Sequence, residues 1–150
     1  MNLDKLEKTI NESFEKKEKV NPKSDKKIIK AINETIDLVD QGKIRVANKI
    51  NGNWVVNQWI KKAILLSFRV NKMTMSKGPY TTWYDKVPGK TVKWKESDWK
   101  KAGYRHVPNG VVRRGSFIAK NAVLMPSFVN LGAYVDEGTM IDTWASVGSC

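Results

Sequence analysis

Two side chains of this 150-residue sequence are the main candidates for chemistry, Arg105 and Asp142. The planar fork of an arginine can grip a carboxylate, and a carboxylate can accept a proton or orient an amine. Taken alone, Arg105 is more typical of a surface residue at a domain junction. Asp142 is equally typical of a solvated face, because Asp136 holds the equivalent place six residues earlier. The single histidine, His106, and the single cysteine, Cys150, are favoured as structural residues.

A six-residue repeat surrounds Asp142 and predicts how it is positioned. Apolar residues recur at this interval after Gly110, and mostly small residues follow four places later. This pattern predicts a parallel β-helix in which three hexads form one triangular coil, the apolar column points inward and the small column turns the corners. Asp142 follows an inward residue and should therefore point outward. The apolar column is Val111, Phe117, Val123, Val129, Val135, Ile141 and Val147, and the small column is Gly115, Asn121, Ser127, Ala133, Thr139 and Ala145.

The preceding residues predict a mostly helical domain. Apolar residues at steps of three and four predict helices over about 1–20, from an N-cap at Ser24 to about 41, and over 58–68. Asn51-Gly52 predicts a β-hairpin turn. Residues 71–93 are expected to be irregular, with Gly78-Pro79 as a breaker, and 96–102 to form a short helix. The fold class is therefore α+β, with a helical domain over 1–105 and the start of a β-helix over 106–150.

Composition narrows the function classes. The net charge of +12 favours anionic partners, but the excess lysines lie on exposed-looking helix faces, so we expect no nucleic-acid partner. One histidine nearly excludes a zinc-dependent β-helix enzyme, and we expect no metal. The sequence has no long apolar stretch, no secretory segment and one cysteine, which predicts a cytoplasmic protein without a membrane partner.

The stretch from Met125 to Cys150 resembles the signature block of tetrahydrodipicolinate N-succinyltransferases, which are hexapeptide-repeat acyltransferases. Many residues of this block are not required by the six-residue rule. Further stretches that resemble the same family, in the same order, are 45–47, 54–56, 58–63, 65–69 and 85–88. The resemblance thus covers nearly the whole chain.

This resemblance implies a left-handed winding of the β-helix, which the repeat itself does not settle. It also implies succinyl transfer from succinyl-CoA, as co-substrate rather than bound cofactor, to ring-opened tetrahydrodipicolinate in lysine biosynthesis. Arg105 then matches the family's substrate-binding arginine, and Asp142 matches its substrate-contacting, catalytic aspartate. Trp144 either walls that site or packs at an interface, with packing slightly favoured. Family members form homotrimers and extend further, so these residues alone are expected to be an inactive N-terminal part.

Other readings stay open at this stage. The chain could be a non-catalytic β-helix scaffold or trimerisation fragment. Acetyl could also replace succinyl as the transferred group, because acetyl-transferring relatives share the hexads.

Overall fold

Three helices form the N-terminal layer of the computed structural model, which describes residues 2–78 and 80–150. They are α1 (Leu3–Glu15), α2 (Lys26–Asp40) and α3 (Gln58–Val70). Their apolar stripes meet in one cluster that includes the fully buried Ile10, Ile32 and Leu66. The expected helices are therefore confirmed, although α1 ends earlier than expected and is followed by a 3₁₀ turn at Lys17–Lys19.

The N-cap of α2 differs from the prediction. Asp25, not Ser24, caps the helix, because the Asp25 carboxylate accepts a hydrogen bond from the Lys27 amide at 2.7 Å. The Ser24 hydroxyl instead accepts from the Asn21 amide at 2.9 Å, within the preceding turn. Both side chains are good caps, and the position of the turn decides between them.

Two hairpins flank α3. The expected one pairs β1 (Ala47–Ile50) with β2 (Asn53–Val56), and both turn residues have positive φ, 49° at Asn51 and 84° at Gly52, as a type I′ turn requires. The second pairs β3 (Thr74–Lys77) with β4 (Thr82–Asp85), so the expectation of irregular structure over 71–93 is wrong there. Its side chains are almost all exposed, and the alternation that marks a half-buried strand is therefore missing from the sequence. Pro79 lies outside the described residues.

Eight two-residue strands form the C-terminal part, and each of the first five pairs in parallel with the strand that comes three later. This is the ladder pattern of a partial parallel β-helix with triangular coils. One face holds β5 (Arg105–His106), β8 (Val123–Leu124) and β11 (Met140–Ile141). The second holds β6 (Val111–Val112), β9 (Phe128–Val129) and β12 (Ser146–Val147), and the third β7 (Phe117–Ile118) and β10 (Tyr134–Val135). The handedness of the winding stays a prediction.

The inward column differs from the prediction over residues 111–124. Val111 is 47% exposed, whereas its neighbour Val112 is buried. The prediction is wrong for Val111, Phe117 and Val123 and correct from Val129 onward; the inward residues are Val112, Ile118, Leu124, Val129, Val135, Ile141 and Val147.

A shortened corner explains this shift. The step from Leu124 to Val129 is five residues, and the corner between them has no residue with positive φ, unlike the corners at Asn121 and Gly132. Because side chains alternate along a strand, one missing residue moves the apparent column to the opposite face.

The helical layer packs directly on the β-helix. Leu131, at a β-helix corner, lies in a buried cluster with Ile36 of α2 and Ile64 of α3. Asp40, the last residue of α2, accepts a hydrogen bond from the Gly115 amide at 2.7 Å. Its other carboxylate oxygen lies 2.7 Å from the Nζ of Lys90, whose side chain is only 8% exposed.

The start of the β-helix is covered by α4 (Glu96–Ala102), which ends at Gly103 with φ 67°. Trp94, Trp99 and Tyr104 lie in mutual ring contact, with centroids 4.9 to 5.9 Å apart. This aromatic group packs against the apolar interior of the first coil. It covers the end of the prism at which the β-helix begins.

Candidate functional site

The ladder β5–β8–β11 places Arg105 and Asp142 on the same outer face of the prism. Arg105 pairs with Val123, and Val123 pairs with Met140. Asp142 is the first residue after β11, two residues beyond Met140, and its exposed side chain lies at the corner that borders this face. From the strand spacing and the rise per residue, their Cα atoms are about 12 Å apart.

Both side chains are exposed and available to a ligand. In the described part of the chain, the Arg105 guanidinium has no hydrogen-bond partner, while its backbone is held in the ladder with β8, where its amide donates to the Ala122 carbonyl at 2.9 Å. One carboxylate oxygen of Asp142 accepts from the Thr143 amide at 2.7 Å. This bond fixes the carboxylate at the corner and leaves the second oxygen free among the described residues.

The surroundings of Asp142 form an open face rather than a cleft. Met140 is 61% exposed and Trp144 is 83% exposed. Two clefts of about 610 and 370 Å³ lie elsewhere, one along α2 and one between α4 and the first coil. Neither is lined by Arg105 or Asp142, so a substrate bound between these two residues needs a further wall.

His106 and Tyr104 lie inside the structure, away from this face. His106 pairs with Leu124 in the ladder, and its ring centre is 5.5 Å from that of Trp99. The Tyr104 hydroxyl is buried without a hydrogen-bond partner among the described residues. Burial, and secondly the nearby Asp40 carboxylate, raise the pKa of Tyr104 well above its usual value, so this phenol stays protonated at neutral pH.

Residues 2–78 and 80–150 offer no candidate for a metal site or a membrane span. No three His, Cys, Asp or Glu side chains are grouped closely enough there to hold a metal ion. No helix in these residues combines the length and apolarity that crossing a membrane needs.

Comparison with known sequences identifies the family. Residues 5–70 match the family described as "Tetrahydrodipicolinate N-succinyltransferase N-terminal". Over these residues the chain belongs to this family. Among named relatives, the 2,3,4,5-tetrahydropyridine-2,6-dicarboxylate N-succinyltransferase of Pelagibacter ubique is 60% identical over 90% of this chain and 50% of its own length. Proteins of the same name from Rhodopseudomonas palustris and Parvibaculum lavamentivorans are 54% and 52% identical over the whole chain and 54% of their length.

The chain spans about half the length of the curated relatives it matches. Family membership therefore places residues 1–150 in the N-terminal half of such proteins. Arg105 and Asp142 both fall within that half, on one outer face of the β-helix.

Proposed function

We propose that this chain is the N-terminal half of an enzyme that transfers a succinyl group from succinyl-CoA to the amino group of ring-opened tetrahydrodipicolinate. The observation that carries the proposal is the placement of Arg105 and Asp142, unpartnered among the described residues, on one outer face of the β-helix. The names of the relatives support the reaction class. The reaction would serve lysine biosynthesis through diaminopimelate in the cytoplasm, where acyl-CoA donors are made.

The two residues suit complementary tasks. The Arg105 guanidinium binds one terminal carboxylate of the substrate through a bidentate contact. The Asp142 carboxylate binds the substrate ammonium and accepts its proton, which frees the nitrogen lone pair. The amine then attacks the thioester carbonyl of succinyl-CoA, a C–N bond forms, the C–S bond breaks, and the coenzyme leaves as a thiolate that takes up a proton.

The open face around Asp142 favours a site completed by other parts of the protein. We place the missing wall on a neighbouring copy in a homotrimer and on the coils of the second half. This arrangement predicts that residues 1–150 alone have no turnover. It requires no bound cofactor, and succinyl-CoA acts as a co-substrate.

The experiment joins residues 1–150 to the remaining half of the Pelagibacter ubique relative and follows thiol release from succinyl-CoA with 2-aminopimelate. Asp142→Asn should lower kcat/KM by about 100-fold or more, because the amide cannot accept the proton. Asp136→Asn is the matched control, since Asp136 is exposed and holds the Glu137 amide at 2.8 Å as Asp142 holds that of Thr143. It should keep nearly full activity.

Two outcomes would contradict the proposal. If Asp142→Asn and Asp136→Asn lower kcat/KM equally, both carboxylates act only by holding the backbone of their corner. A fusion that assembles as a trimer without turnover would favour the scaffold reading.

Arg105→Lys separates substrate binding from chemistry: loss of the bidentate contact should raise KM for 2-aminopimelate about 10-fold or more, while KM for succinyl-CoA stays unchanged.

A further inference from the structure

Three successive corners of the β-helix share one turn geometry. Each begins with an Asn or Asp whose side-chain oxygen accepts from the next amide, at 2.9 Å for Asn130, 2.8 Å for Asp136 and 2.7 Å for Asp142. In each, the carbonyl of the same first residue accepts from the amide of the fourth, at 3.1, 3.3 and 3.0 Å. The corners at Asn130 and Asp136 therefore serve as references for the corner at Asp142.

The third residue of each corner has a left-handed backbone, with φ of 92° at Gly132, 69° at Gly138 and 60° at Trp144. Such a φ is readily adopted by glycine and tolerated by asparagine, but it is unfavourable for a bulky residue. The left-handed corners elsewhere in the β-helix also carry Gly or Asn, at Asn109, Gly115 and Asn121. Trp144 departs from this rule.

Packing within the chain does not account for the tryptophan. Its side chain is 83% exposed, and among the described residues it takes part in no aromatic pair or cation–π contact. A glycine here would relieve the backbone and remove an exposed apolar surface. Residues held in unfavourable backbone regions are concentrated at functional sites, so the indole has a role outside the packing of this chain.

We propose that Trp144 is a substrate-binding and specificity residue of the Asp142 site, an inference that rests on the proposed function. Trp144 lies two residues from Asp142, in a turn whose backbone is held by bonds from the Trp144 amide to the Pro126 carbonyl at 2.7 Å and from the Ala145 amide to the Asp142 carbonyl at 3.0 Å. An amino-dicarboxylate substrate offers an ammonium group, which both the carboxylate and an indole face attract, and a methylene chain that an apolar surface can cover. Trp144 then contacts the ammonium end and adjoining methylenes, while Arg105 binds a terminal carboxylate.

The test is Trp144→Gly, which converts this corner into the Asp136 type. Because the glycine relieves the backbone, the midpoint of thermal unfolding of the 150-residue chain should rise by about 2–4 °C. In the fusion with the Pelagibacter ubique half, KM for 2-aminopimelate should rise about 10-fold or more, while KM for succinyl-CoA stays within about 2-fold. Trp144→Phe keeps an aromatic face, so its KM for 2-aminopimelate should lie between those of the wild type and the glycine variant.

The possible failures are distinguishable. An active wild-type fusion whose Trp144→Gly variant keeps its KM for 2-aminopimelate would overturn this inference and leave the proposed function standing. Dissociation of the assembled fusion by Trp144→Gly with an unchanged KM would instead assign the indole to contact between copies. If the wild-type fusion has no turnover, the proposed function fails, and calorimetry with 2-aminopimelate decides the inference: binding weakened by Trp144→Gly supports it, and unaltered or absent binding overturns it.

Discussion

The first coil of the β-helix, β5 to β7, and the start of the third, β11 and β12, lie in different surroundings. A Cβ on Gly115 in the first coil would lie 2.1 Å from a Leu131 methyl carbon and 3.0 Å from one of Ile36, whereas a Cβ on Gly138, at the corner that leads into the third coil, would meet nothing within 4 Å. The first coil is thus enclosed by the next coil and the helical layer together. The less enclosed third coil carries Asp142 and Trp144, so packing and proposed chemistry are divided between different coils.

The largest expected effect tests the register of the first coil. Val112→Asp places a charge in the interior of the prism and should lower the free energy of unfolding by about 3–5 kcal/mol. Val111→Asp is the matched control, because this side chain is 47% exposed, and it should change the free energy by no more than about 0.5 kcal/mol. Urea unfolding followed by circular dichroism measures both. Equal effects, or a larger effect at Val111, would contradict the inward position of Val112 and support the predicted inward column that starts at Val111.

The second prediction compares the two kinds of corner. Gly115→Ala should cost about 3 kcal/mol, because a left-handed backbone and a clash with Leu131 and Ile36 add together. Gly138→Ala meets only the left-handed backbone, with φ 69°, and should cost about 1 kcal/mol. Chemical denaturation of both variants measures the difference. Similar losses would show that Leu131 and Ile36 both yield to the added methyl group and do not constrain the first coil at this corner.

Much of this architecture could be predicted from the sequence, because it depends on local patterns. The helical stripes and the hexads indicate which of several neighbouring residues are buried. The Asn51-Gly52 turn depends on the backbone conformation of two adjacent residues. The first-coil register could not be obtained in this way, since a five-residue corner preserves a six-residue pattern while moving it to the opposite face. The hairpin of β3 and β4 was missed because exposed strands carry no burial pattern.

The candidate site depended on different information. Arg105 and Asp142 became candidates through resemblance to a family, and the residue types alone favoured surface roles. Their common face follows from two successive strand pairings, between residues 18 positions apart (Arg105 and Val123) and 17 positions apart (Val123 and Met140). The unusual backbone of Trp144 did have a local signal: the three corners align as Asn130-Leu131-Gly132, Asp136-Glu137-Gly138 and Asp142-Thr143-Trp144.

The smallest expected effect comes from restoring the shortened corner between β8 and β9. An asparagine inserted between Pro126 and Ser127 makes the step from Leu124 to Val129 six residues, like the steps on either side. Because Asn121 already adopts φ 59° at such a corner, the new residue should take the left-handed position and leave every inward residue in place. We expect the free energy of unfolding to change by about 1 kcal/mol or less.

The same insertion between Phe128 and Val129 lies within β9, where it must either bulge or reverse the alternation, and should be far more destabilising. Equal losses would mean that the five-residue corner is itself required, and that β8 and β9 can join only with the register shift between them.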